Sequence, residues 1–292
     1  MLIPLHVEHL SEISLWSWQP DPPVMLGLAG SAALYLWATS ARQRVHYPSS
    51  TPVEPWRAAL FFTGLLAFAV ALLSPLEPLA DSFLLTGHML QHLLITIVGP
   101  PLMLLGVPPW LWATIARGSG NFWKMWLLIT RPVPAFLIFN VTFALVHLPG
   151  FYNLALRNDN VHILEHVLLW TTAFVGWWCV VAPSKELGAI SAPMKGLYLL
   201  ANTIPGQLVG ALITFSGAIL YDEYAHASRV WGLSVHTDQE IGGLIMWVGV
   251  GTFYFVVAMI VFYRWASAQV AADHAPRRRP QAAQPEPPAS RS

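Results

Sequence analysis

The sequence between residues 83 and 105, FLLTGHMLQHLLITIVGPPLMLL, decides the fold of this chain. It contains no Asp, Glu, Lys or Arg, and most of its side chains are apolar. A helix of this length, rising about 1.5 Å per residue, covers the hydrocarbon core of a bilayer, which is about 30 Å thick. The stretch is therefore predicted to cross a membrane, with two histidines near its start.

The composition of the whole chain agrees with that prediction. Its 292 residues are 55% hydrophobic and only 10% charged, which is too apolar for an ordinary soluble domain. Many of the fourteen Trp lie near the ends of apolar runs, as in the aromatic belts of membrane proteins. The sequence predicts an all-α, polytopic membrane protein, a bundle of seven transmembrane helices. The predicted spans are 24–40, 56–74, 83–105, 133–149, 162–182, 194–219 and 241–264.

The basic residues predict the orientation of this bundle. Of fifteen Lys and Arg residues, only Arg157 and Arg229 fall outside the loops and tail on one side. By the positive-inside rule that side is cytoplasmic, and the amino terminus is periplasmic. We expect a periplasmic amino-terminal segment (1–23), which lacks the features of a cleavable signal peptide, a transmembrane domain (24–265) and a disordered cytoplasmic tail (266–292).

The histidines gather on the periplasmic side of this map. Only His46 and His274 of the eleven histidines are predicted to be cytoplasmic. Five others lie just inside the ends of predicted spans, where an ionisable side chain is costly unless it has a partner. Two pairs are spaced i, i+4, so both members of each pair share one helix face. These residues are the candidate ligands of a metal ion: His88, His92, His147, His162 and His166.

The residue types narrow the choice of metal. Imidazole favours copper, zinc, nickel or iron, and the affinity order among these favours copper. The single cysteine, Cys179, is predicted near the cytoplasmic end of its span, so a thiolate site beside the histidines is excluded. Glu165 shares the face of the second histidine pair and is predicted to orient an imidazole rather than to bind metal. For His147, a hydrogen bond at the helix end is an equal alternative. The remaining periplasmic histidines are expected to be solvated: His6, His9, His226 and His236.

Two other functions remain open at this point. A b-type haem ligated by histidines from two spans would leave the second histidine of each pair without a role. A metal-dependent membrane oxidase of the di-iron type would need more carboxylates than Glu165 alone supplies. No nucleic-acid partner is expected; the chain lies in membrane lipid.

Four segments taken together resemble the CtaG family of cytochrome c oxidase assembly factors. They are Asp81 with HMLQHL at 88–93, HLPGFYN at 147–153, HILEH at 162–166 and DQEIGGLIMW at 238–247. The resemblance extends over residues 24–263. It implies a seven-span protein of the bacterial inner membrane that is needed to mature haem-copper oxidase.

The resemblance also implies a role in copper supply. Copper would reach the periplasmic histidines from a periplasmic donor protein and pass to the buried centre of cytochrome c oxidase subunit I. We therefore expect delivery of an ion rather than enzymatic turnover.

Overall fold

The structure is a computed structural model that describes residues 18–47 and 49–274. All regular elements in these two ranges are helical. The predicted segment 1–23 lies mostly outside the described residues, as do His6, His9 and residues 275–292 of the predicted tail. The helices are α1 (Pro22–Thr39), α2 (Ala41–Arg44), α3 (Pro55–Leu73), α4 (Leu76–Ser82), α5 (Leu85–Leu93), α6 (Gly99–Gly106), α7 (Pro109–Gly118), α8 (Gly120–Ile129), α9 (Pro132–Val146), α10 (Pro149–Arg157), α11 (Asp159–Val181), α12 (Ala192–Thr214), α13 (Asp222–His226), α14 (Val235–Leu244) and α15 (Gly251–His274).

Several of these helices are long and apolar enough to cross a membrane. Five helical segments of the described chain meet this standard, and they correspond to the predicted second, third, fifth, sixth and seventh spans. The predicted fourth span is α9, which qualifies only together with α8, and these two helices are bent by 74° at their junction. The predicted first span is α1, a helix of 18 residues that is not among the five. The chain is thus a helical membrane protein with five or six candidate spans in its described part.

Three predicted carboxyl-terminal helix ends differ from the structure by three residues or more. The fourth span ends at Val146 rather than at residue 149, because the residue before Pro149 is extended and Pro149 begins a new helix, α10. The sixth span ends at Thr214 rather than at residue 219. The last helix continues to His274, past the predicted start of the tail at residue 266. The reason is that residues 266–272 are rich in Ala, which favours helix.

Two wide π-helical segments interrupt the long spans. Leu94–Val98 joins α5 to α6, and Ile245–Val250 joins α14 to α15. The first begins two residues after His92, and the hydroxyl of Thr96 donates to the carbonyl of His92 at 2.5 Å. Segments of this kind are rare and are often found at functional sites.

The start of α5 is fixed by a residue far away in the sequence. The buried carboxylate of Asp238 on α14 accepts hydrogen bonds from the backbone N–H groups of Leu85 (2.8 Å) and Thr86 (3.0 Å). These are two of the unpaired donors at a helix amino terminus, where a negative charge is also favourable. Gly242, one turn further along α14, lets Leu85 approach closely, since a Cβ there would lie 3.0 Å from the Leu85 side chain. Asp238 therefore sets the position of the helix that carries His88 and His92.

Candidate metal centre

The five predicted histidines lie together at one end of the bundle. His88 and His92 come from α5, His162 and His166 from α11, and His147 follows the last residue of α9. Ring centroids are 4.3 Å apart for His88–His92, 4.4 Å for His162–His166, 5.3 Å for His88–His162, 5.3 Å for His92–His147 and 5.5 Å for His92–His166. We call these five residues and Glu165 the histidine cluster.

The most enclosed part of the cluster is formed by His88, His92 and Glu165, which we call the buried group. Their side chains are 0%, 3% and 0% exposed. The Nε2 atoms of His88 and His92 are 2.8 Å apart. Oε1 of Glu165 lies 3.7 Å from Nε2 of His92, and Oε2 lies 4.0 Å from Nε2 of His88. One ligand atom from each residue falls within 4.8 Å of the other two, so the group is compact enough for one metal ion.

A second compact set, which we call the surface group, consists of His88, His162 and His166. Its ligand atoms also lie within 4.8 Å of one another. Nδ1 of His162 lies 3.4 Å from Oδ1 of Asp81 on α4, and the two side chains are 13% and 40% exposed. Asp81 and His162 therefore form the side of the cluster that is open to the surroundings.

Glu165 has a different position from the one predicted. From the sequence we predict that Glu165 orients an imidazole through a hydrogen bond, but neither of its carboxylate oxygens has a hydrogen-bond partner. Its side chain points from α11 towards the histidines of α5, at distances too long for hydrogen bonds. Glu165 is thus a candidate ligand in its own right, and the earlier expectation was wrong about its contacts.

The hydrogen-bond network assigns the protons of two imidazoles. The hydroxyl of Tyr224 donates to the carbonyl of Ala80 at 2.5 Å, so it can only accept from Nδ1 of His88, 3.1 Å away. The Nδ1 of His147 donates to the carbonyl of Phe143 at 2.7 Å. A neutral imidazole carries one proton, so the lone pairs of His88 and His147 are both on Nε2. The lone pair of His88 therefore faces His92.

His147 combines the two roles considered for it. Its Nδ1 makes the hydrogen bond expected at a helix end, and its Nε2 lies 3.4 Å from Nδ1 of His92. It belongs to neither compact ligand group. His226 and His236 are exposed, and their contacts lie outside the cluster. Nδ1 of His226 lies 2.9 Å from the carbonyl oxygen of Asp222, and Nδ1 of His236 lies 3.9 Å from Oε1 of Glu240.

Four atoms of the cluster are buried without any hydrogen-bond partner. They are Nε2 of His162, Nε2 of His166 and both carboxylate oxygens of Glu165. Leaving such groups unpaired away from water costs free energy, most of all for a carboxylate. A cation bound beside His162 and His166, or beside Glu165, would give partners to the unpaired atoms there. Nitrogen donors with one carboxylate suit copper, zinc, nickel or iron better than magnesium or calcium.

The geometry argues against the two other readings of the histidines. The rings of the histidines that face each other across the two spans have centroids only 5.3 Å (His88–His162) and 5.5 Å (His92–His166) apart, so no flat gap for a porphyrin separates them. A di-iron site would need several bridging carboxylates. In the described part of the cluster, Glu165 is central and Asp81 lies at its edge.

Comparison with known families decides where this chain belongs. A family model described as cytochrome c oxidase caa3 assembly factor matches residues 33–268. The chain belongs to this family. No curated protein and no solved structure gave a match. The whole histidine cluster lies inside the matched region, and the assembly-factor family favours a non-enzymatic role with cytochrome c oxidase as the partner.

Sequence reasoning missed the tyrosines that surround the cluster. Tyr152 and Tyr224 are buried, and the hydroxyl of Tyr224 contacts both His88 and Tyr152. Tyr152 lies in the HLPGFYN segment that resembles the assembly-factor family, which was the available signal. Tyr224 lies in α13, a helix of five residues that is too short to show a spacing pattern.

Proposed function

We propose that this chain binds copper in the histidine cluster and delivers it to the copper centre of subunit I of cytochrome c oxidase. The proposed ligands are His88, His92, His162, His166 and Glu165, with His147 as a further candidate. The observation that carries the proposal is the buried carboxylate of Glu165, whose two oxygens lack hydrogen bonds and lie among imidazoles. Family membership supplies the oxidase as the client.

Copper is favoured over the other metals by two arguments. The order of affinities for divalent ions at nitrogen sites places copper above zinc, nickel and iron. The client is a haem-copper oxidase, for which copper is the cargo that an assembly factor would carry. The soluble protein that supplies the copper is proposed to be periplasmic.

We further propose seven spans, with a periplasmic amino terminus, in the inner membrane of a bacterium. In this arrangement α1 and α9 are the first and fourth spans. The apolar side chains that α1 exposes support its contact with lipid, since Leu26 is 73% exposed and Leu34 is 62% exposed. The distribution of Lys and Arg supports the orientation, because it places the histidine cluster at the periplasmic side.

Delivery would proceed by stepwise exchange of ligands. Asp81 and His162 form the open side of the cluster, and an acidic side chain there attracts a cation. The buried group lies inside the bundle, so copper held there is shielded from water. An acceptor site at a similar depth in subunit I can then replace the imidazoles one at a time.

The test is the metal content of the client. Cells that lack this protein receive either the wild type or the double variant His88→Ala, His166→Ala, and the ratio of copper to haem is measured in the purified oxidase. We expect the double variant to lower this ratio strongly, whereas the exposed control His226→Ala leaves it unchanged. An oxidase with full copper from cells that carry the double variant contradicts the proposal.

A further inference from the structure

We infer that the cluster offers a single copper ion two alternative positions that share His88 as a common ligand. This inference rests on the proposed function and deepens it. The two positions are the surface group, with His162 and His166, and the buried group, with His92 and Glu165. Each group is compact by itself, and they differ in chemistry and in exposure.

The buried group fits an ion with little rearrangement. Two donor atoms that each lie about 2.0–2.2 Å from one ion can be at most about 4 Å apart. The distances of 2.8 Å, 3.7 Å and 4.0 Å among the Nε2 atoms and their nearest carboxylate oxygens are within that limit. This group supplies two nitrogens and one carboxylate, all of them closed off from the surroundings.

The surface group is the one that an arriving ion meets first. His162 and His166 are both partly exposed, and His162 contacts Asp81, which is more exposed still. The group supplies three imidazoles, and the Nε2 atoms of His162 and His166 have no hydrogen-bond partner. The side chain of His88, in contrast, is fully buried and lies between the two groups.

His88 can serve only one ion at a time. Its Nδ1 keeps a proton because the Tyr224 oxygen accepts from it, and the Tyr224 proton is directed to the Ala80 carbonyl. A ligand nitrogen must be free of its proton, so only Nε2 of His88 can bind metal. The two positions therefore exclude each other, and Tyr224 acts as a positioning residue.

Movement between the positions is a ligand exchange without electron transfer. The bond from copper to Nε2 of His88 persists throughout. Bonds to His162 and His166 break. The proton of His92 moves from Nε2 to Nδ1, where Nε2 of His147 accepts a hydrogen bond from it, and bonds from copper to Nε2 of His92 and to a carboxylate oxygen of Glu165 form. The ion thus passes from the accessible side to the closed side while one imidazole holds it.

The test uses detergent-purified full-length protein titrated with Cu(I) against a coloured competing chelator. We expect one ion per chain in the wild type. Glu165→Gln and His162→Ala should each still bind one ion, with an affinity lowered by no more than about tenfold. Their combination, and His88→Ala alone, should lower the affinity by more than about 100-fold, as expected when a ligand set is destroyed.

X-ray absorption on the two single variants identifies the occupied position. Copper in Glu165→Gln should have imidazole ligands only, and copper in His162→Ala should have mixed nitrogen and oxygen ligands. The exposed variant His236→Ala is the matched control, and thermal unfolding of each variant shows that it is folded. Two ions per wild-type chain, or a loss in either single variant as large as in their combination, would overturn the inference. Neither of these results touches the proposed function, which fails if the wild type binds no copper or if the oxidase keeps its full copper in cells that carry the double variant.

Discussion

The two ends of α11 differ in whether their buried polar atoms have hydrogen-bond partners. At one end, His162, Glu165 and His166 turn polar atoms inwards, and four of those atoms have no hydrogen-bond partner. At the other end, the indole nitrogen of Trp177 donates to the Thr96 carbonyl at 3.0 Å and that of Trp178 to the Leu187 carbonyl at 2.8 Å. The side chains at one end of α11 therefore have buried polar atoms without hydrogen-bond partners, whereas the indole nitrogens at the other end have partners.

The second end is a packing centre. Trp178 is fully buried and contacts three other indoles, at centroid distances of 4.6 Å, 5.7 Å and 5.5 Å. We call this set the tryptophan cluster: Trp112, Trp123, Trp126 and Trp178. Large buried aromatic rings stabilise a fold strongly, whereas buried groups without partners weaken it. In the tryptophan cluster one buried atom, the indole nitrogen of Trp126, lacks a partner, against four in the histidine cluster. The comparison indicates that the tryptophan cluster contributes more to stability, and the proposed copper binding accounts for the unpaired atoms of the histidine cluster.

The largest effect is expected at the tryptophan cluster. Trp178→Ala should lower the free energy of unfolding by about 3–5 kcal/mol, because it removes a large buried ring and leaves a cavity. The protein that still folds should bind copper as the wild type does. Chemical unfolding in detergent and copper content per folded chain measure the two quantities. Trp231→Ala, at a position that is 71% exposed, is the control. A loss of copper binding in folded Trp178→Ala would contradict the division between a stabilising tryptophan cluster and a metal-binding histidine cluster.

The opposite result is expected at Glu165. Glu165→Met replaces a buried carboxylate without hydrogen bonds by an apolar side chain of similar size. The metal-free protein should gain about 1–3 kcal/mol in stability, since a buried polar group without a hydrogen-bond partner is removed, while its affinity for copper falls. Unfolding in the presence of a chelator, followed by copper titration, tests both parts. A less stable metal-free variant would show that the carboxylate has a structural role.

A smaller effect is expected where the histidine cluster depends on the scaffold. Asp238→Ala removes the acceptor of the Leu85 and Thr86 N–H groups and should cost about 1–2 kcal/mol. Copper affinity should fall as well, because the start of α5 is no longer fixed. The exposed neighbour Glu240 provides the control variant Glu240→Ala. Wild-type stability in Asp238→Ala would refute the capping role.

The smallest effect concerns pH. Burial, followed by the charges of Asp81 and Asp21, raises the pKa of Glu77 on α4 from 4.5 to about 7. The folded state therefore holds this proton more tightly than the unfolded state, and its stabilising contribution is lost as the pH rises from about 4.5 to about 7. Glu77→Gln should match the wild type near pH 4 and exceed its Tm by roughly 2–4 °C at pH 8. A Tm difference that is the same at both pH values would contradict this expectation.

Local sequence patterns were sufficient for the long helices and for the meeting of the histidines. An apolar run such as residues 83–105 specifies a span by its length, and the i, i+4 pairs at 88 and 92 and at 162 and 166 specify shared faces. Once both pairs are placed at the same end of the bundle, their proximity follows. The same patterns predicted α1 as a span, although it is not among the five qualifying helices of the described residues.

Contacts between distant segments were not predictable in this way. Asp238 caps a helix that lies 153 residues earlier in the chain, and Tyr224 reaches a histidine 136 residues earlier. Neither contact leaves a periodic signal in the sequence. The direction of the Glu165 side chain depends on how α11 packs beside α5, which the spacing to His162 and His166 does not determine. These long-range contacts decide which atoms of the cluster are free to bind.

The most direct measurement is the copper content of the detergent-purified protein, determined by elemental analysis together with a visible spectrum. We predict one copper per wild-type chain, no Soret band, and copper near zero in the double variant His88→Ala, His166→Ala. Unchanged copper in the double variant, or a Soret band in the wild type, would contradict the account.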